Sequence, residues 1–93
     1  MTPEVAARGF FEACSREDWT EAAVFFPLPL DDRIKQHLAR LKIVNLGASF
    51  TSAASPAVFV PYEIELRNGQ TRKHNLALKK HPKAGRWLID GGI

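Results

Sequence analysis

Cysteine is nearly missing: Cys14 stands alone in 93 residues. A single thiol excludes an internal disulfide framework and a cysteine-based zinc site. Long apolar runs are missing too. The longest near the N-terminus, Ala22 to Phe26, stops at Pro27, far short of the ~20 residues that span a bilayer. Met1-Thr2-Pro3-Glu4 has neither a basic start nor a continuous apolar stretch, so it does not read as a signal peptide. No GxGxxG, P-loop or GxSxG segment occurs, so the phosphate cradles and the nucleophile elbow built by those motifs are not expected. The three histidines lack metal-ligand spacing. Neither a metal nor another cofactor is expected, and the composition assigns no compartment.

What is present is ordinary globular composition, 45% hydrophobic and 25% charged, in a length that suits one small domain. Residues 1–93 are read as that single domain, part of a longer protein. The net charge of +3 is unevenly spread. Residues 1–32 hold seven acids against Arg8 and Arg16, and residues 67–86 hold seven bases and no acid. A basic segment can attract nucleic acid or an anionic surface. The preferred reading is a solvated hairpin edge on which Lys blocks edge-to-edge pairing. Nucleic-acid grooves interleave aromatics with the bases, and only Trp87 lies near this stretch.

The chain divides into a helical half and a strand half. Thr2-Pro3 reads as a helix start, and Val5, Ala6, Phe10 and Cys14 follow at helical spacing with Ala7 and Phe11 beside them. Asp18, with Glu21 three residues on, caps a second helix whose buried side is Trp19, Ala22, Ala23 and Phe26. Pro27 and Pro29 end it. Asp31-Asp32 starts a third helix, with Ile34, His37, Leu38 and Leu41 on one face and His37 read as a core or boundary histidine. From Ile43 the period becomes alternating. One strand is expected from about 43 to 52, bent at Gly47, and a clear one over 57–67. Asn68-Gly69 signals a hairpin into a strand over 70–80. His81 to Gly85 turns the chain into a last strand, Arg86 to Asp90. The expected core is Phe10, Phe11, Trp19, Phe26, Leu38, Val60, Ile64 and Leu76.

The hairpin register follows from the pattern. A two-residue turn would split the apolar residues between faces. A three-residue loop with a bulge at Gly69 sets Leu66 opposite Gln70 and Tyr62 opposite His74. Leu76 and Leu78 then share a face with Val58 and Val60. A one-residue slip moves every side chain across the sheet, so the bulged register is preferred. Its inner face carries Tyr62, His74 and Arg72 at one end; Phe59, Pro61, Glu63 and Glu65 point outward.

Ala7-Arg8-Gly9-Phe10-Phe11-Glu12-Ala13, then Glu17-Asp18-Trp19, then Gly85-Arg86-Trp87-Leu88-Ile89-Asp90 resemble the opening helix, second-helix entry and last strand of the NTF2-like (cystatin-like) superfamily, in the form of its small bacterial accessory domains. The resemblance implies an α+β fold, with three helices packed on a bent antiparallel sheet of four strands that encloses a conical cavity. The superfamily includes isomerase- and dehydratase-like enzymes and non-catalytic binding and dimerisation modules, and fold alone does not choose among them. Its enzymes place a carboxylate in the cavity. Here Glu63 and Glu65 point outward, and Asp90 faces away from Trp87 and Ile89.

Tyr62 and His74 are the best cavity pair. They can be read as a proton acceptor with a hydroxyl donor, or as a cross-strand hydrogen-bonded pair that satisfies two half-buried polar tips. Phe11, Trp19 and Arg72 complete the candidate ligand-binding set. Cys14 reads as a small buried hydrophobe. The main expectation is a non-enzymatic accessory domain that forms a homodimer through the sheet, pairs with a neighbouring domain, or binds a small apolar ligand weakly. Nucleic acid is not an expected partner. The alternative is a small isomerase- or dehydratase-like enzyme using Tyr62 and His74.

Overall fold

Thr2 Oγ1 accepts the Val5 amide at 3.1 Å, and Pro3 opens α1 (Pro3–Ser15) as the sequence predicts. The computed structural model describes residues 1–82 and 85–93. Ala6, Ala7, Phe10, Phe11, Ala13 and Cys14 form the buried stripe of α1. Val5, expected on that stripe, is 53% exposed, because the stripe is centred on Phe10 and Val5 falls at its edge. The helix ends in a Schellman arrangement. Asp18 N donates to Ala13 O at 2.9 Å and Glu17 N to Cys14 O at 3.0 Å. Glu17 takes the left-handed position usually given to glycine, with φ 55°.

Asp18 Oδ1 accepts the Glu21 amide at 3.2 Å and starts α2 (Trp19–Ala23). The reciprocal half of a capping box is absent, since the Asp18 amide is already given to Ala13. Beyond Ala23 the chain tightens into i to i−3 bonds from Val24, Phe25 and Phe26. That rotation buries Phe25 and leaves Phe26 and Trp19 partly buried and Ala23 exposed, which corrects the expected set. Asp31 Oδ1 caps α3 (Asp32–Ala39) through Ile34 N at 2.8 Å. Its inward line is Ile34, Leu38 and Leu41. His37 lies off that line and is exposed, contrary to its reading as a core or boundary residue.

The sheet has five antiparallel strands: β1 (Ile43–Leu46), β2 (Phe50–Ser52), β3 (Ser55–Glu65), β4 (Thr71–Lys80) and β5 (Trp87–Gly91). The order is β1-β3-β4-β5, with β2 also on β3, and the sheet is open. The fold is α+β as expected, but the single strand over 43–52 is two, so the sheet has five strands and not four. The cause lies on β3. Gly47 N donates to Pro61 O at 2.8 Å. A strand residue aims its N–H and C=O at the same edge, and Pro61 has no N–H to return, so pairing lapses there. A Cβ on Gly47 would stand 2.8 Å from Pro61 Cγ, so only glycine crosses at this point.

The β3–β4 hairpin has the bulged register. Tyr62 pairs with His74, Val60 with Leu76 and Glu63 with Lys73. Leu66 N donates to Gln70 O at 2.7 Å, and Gly69 N to Leu66 O at 2.9 Å. Gly69 has φ 83°, which a side chain would strain. Of the turn expected from His81 to Gly85, Lys83 and Ala84 lie outside the described residues.

Phe10, Phe11, Leu38, Val60 and Leu76 are buried together, with Trp19, Phe26 and Ile64 packed partly buried against them. Long-range ties close the molecule. Glu4 Oε2 accepts from Ser49 N at 3.1 Å and from its hydroxyl at 3.0 Å, and the Ser49 amide is the main cause that holds the Glu4 carboxyl below its ordinary pKa. Ile89 N donates to Phe25 O at 2.8 Å. Trp87 Nε1 donates to Met1 O at 3.1 Å.

Candidate functional site

The inner face of the hairpin places Tyr62 under α1. Its ring centroid is 4.9 Å from that of Phe11, which in turn is 5.5 Å from that of Phe10. Aromatic side chains therefore fill the space between helix and sheet at this point. The Tyr62 hydroxyl donates to Gly92 O at 2.5 Å. Burial pushes the phenol above its ordinary pKa, so the side chain stays a protonated donor at neutral pH.

His74 stacks its ring on that of Tyr62, with centroids 5.6 Å apart and planes 30° apart. The contact is ring to ring. The cross-strand hydrogen bond that sequence reasoning offered for this pair does not form, because the phenol proton is directed to Gly92. His74 and Arg72 are exposed: α1 covers the β3 side of this face and does not reach them.

The five candidates do not share one cavity. Tyr62 and His74 border a recess of about 230 Å³ with Pro61 and Lys73. Trp19 borders another of about 340 Å³ with Asp32, Lys35 and Arg40. Phe11 opens onto a groove of about 630 Å³ between α1, the end of α3 and β1. Arg72 borders none of these three. The structure thus joins Phe11, Tyr62 and His74 as a contiguous group of rings, tilted at Phe11 and stacked at His74, and leaves Trp19 and Arg72 apart from it.

Of the strand carboxylates, Glu63 borders the recess shared by Tyr62 and His74, and the other two are held in ion pairs. Glu65 pairs with Lys42 at 2.6 Å, and Asp90 with Lys79 at 3.5 Å. Among the described residues no group of three His, Cys, Asp or Glu side chains could hold a metal ion, and no helix is long and apolar enough to cross a membrane.

The groove was not anticipated. Arg8, Phe11, Glu12 and Ser15 reach it from α1 at i, i+3, i+4 and i+7, a helical line beside the buried stripe. That spacing is visible in the sequence, but the Arg40 to Leu46 wall opposite appears only when α3 and β1 fold against α1.

The outer sheet face carries a second feature. Phe50 and Phe59 pair across β2 and β3 and stack with centroids 5.4 Å apart, Phe50 being 44% exposed. Phe59 also pairs with Ala77, and Ala77 with Gly91. Pro61 and Leu88 flank this row, with Glu63, Lys73, Lys79 and Asp90 around it. No family model, curated protein or solved structure matches the chain.

Proposed function

We propose that this is a non-enzymatic accessory domain of the NTF2-like kind that pairs with a second copy of itself through the outer face of its sheet. The observation that carries the reading is the Phe50–Phe59 stack, which turns an aromatic surface outward on a face that no helix of the described chain covers. Exposed aromatic surface with a polar rim marks association sites. The rim holds both signs, Glu63 and Asp90 against Lys73 and Lys79. A two-fold axis repeats one patch on both subunits and so favours a surface that can answer its own charges. The Tyr62 hydroxyl supports the absence of catalysis, since its proton is committed to Gly92 and His74 meets its ring face.

Sedimentation equilibrium at tens of micromolar tests the reading. The expected species has twice the 10.4 kDa chain mass, and Phe50→Asp returns it to the monomer without loss of fold, because β2 stands outside the core. A wild-type chain that sediments only at the monomer mass over this range overturns the proposal.

A further inference from the structure

The groove between α1 and β1 has no part in the pairing surface and shares no residue with it. Its volume of about 630 Å³ lies within the range of small-molecule sites, roughly 300–1,000 Å³. Phe11, Leu41, Ile43 and Leu46 border it and also pack against the core, so apolar side chains form part of its lining, beside the polar Glu12, Ser15 and Asn45. Arg8 and Arg40 are exposed at its margin.

The charges of the groove are unequal in their engagement. Lys42 is taken by Glu65 at 2.6 Å. Arg8 stands one turn before Glu12, yet no ion pair joins them, and among the described residues Arg40 has none either. Among the described residues Arg8 and Arg40 therefore line the groove without an ion-pair partner, beside an unpaired Glu12, and Arg40 also borders the recess at Trp19. A guanidinium presents a planar fork of donors that matches a carboxylate, and it sheds water more readily than an ammonium. An apolar body on the apolar part of the lining removes hydrocarbon surface from water.

We propose that the groove binds a small amphipathic carboxylate, its apolar body on Phe11, Leu41, Ile43 and Leu46 and its carboxylate facing Arg8 and Arg40. A neutral apolar ligand would gain the apolar lining but leave both cations without a partner. A short anion would gain the cations but leave that lining wet. The proposal does not depend on dimerisation, and either can fail alone.

Decanoate, decanol and acetate serve as probes, each below its aggregation concentration, followed by calorimetry and by amide shifts in 15N–1H spectra. Decanoate should shift the amides of residues 11–15 and 41–46. Decanol should bind at least about tenfold more weakly, since one charge-assisted hydrogen bond is worth that much, and acetate should give no measurable heat. Arg8→Gln combined with Arg40→Gln should lower decanoate affinity about tenfold or more and leave decanol unchanged. Both side chains are exposed, so the fold should persist, checked by an unchanged spectrum away from the groove. Equal affinity for decanoate in the double variant, decanol binding as tightly as decanoate, or shifts confined to the sheet face around Phe50 would each overturn the assignment.

Discussion

Cys14 and Tyr62 show how burial decides what a reactive side chain can do. Cys14 is 1% exposed, and burial pushes its thiol up to about 12. At neutral pH the thiolate that reacts with disulfides is scarce. Native protein mixed with an aromatic disulfide reagent should therefore label only as fast as it opens, and at once in denaturant; stoichiometric labelling of the native chain within seconds would contradict this. Tyr62 is held by one hydrogen bond, and Tyr62→Phe removes it while the Phe11 contact stays. The expected cost is ~1 kcal/mol by urea denaturation. A loss above about 3 kcal/mol would mean that the bond to Gly92 anchors more than its own two groups.

At the scale of elements, local chemistry accounts for most starts and stops. Thr2, Asp18 and Asp31 each accept an amide three residues on, because a short oxygen-bearing side chain satisfies an orphan donor of the first turn. These caps could be read from the chain because every partner lies within one turn. The end of α1 is less economical. Glu17 sits at φ 55°, where a Cβ costs about 1 kcal/mol or more. Glu17→Gly keeps the Schellman bonds and should raise stability by about 0.5–1 kcal/mol, part of the relief being offset by a freer unfolded chain. A lower melting temperature for this variant would show that the Glu17 side chain makes a contribution larger than the strain. The break between β1 and β2 has a sequence cause, Pro61, but its effect depends on which edge of β3 the missing N–H faces, and that needs the register.

For the whole molecule, Phe11 is the joint between layers. Its ring contacts those of Phe10 and Tyr62, and it also borders the groove. Phe11→Ala should cost roughly 3–5 kcal/mol, a large share of the ~5–15 kcal/mol that holds a domain together. The urea midpoint reads this directly, and an unchanged midpoint would show that the sheet packs on α1 without this ring. The same contacts fill the space between α1 and the sheet beside Tyr62, and the groove and the two recesses lie apart from it as separate concavities.

Some features of this protein rest on neighbours in the chain. The helix caps, the Asn68-Gly69 bulge and the pairing of Tyr62 with His74 were legible for that reason, since hydrophobic alternation leaves one register that keeps Val58, Val60, Leu76 and Leu78 on one face. Other features join residues far apart. The Tyr62 hydroxyl finds Gly92 thirty residues on, Glu4 finds Ser49 across 45 residues, and the groove sets Arg8 of α1 opposite the Arg40 to Leu46 wall. No spacing rule encodes such partners. They are chosen when the apolar faces of helix and sheet come together, and the polar tips then bond to whatever backbone or side chain that packing has brought within reach.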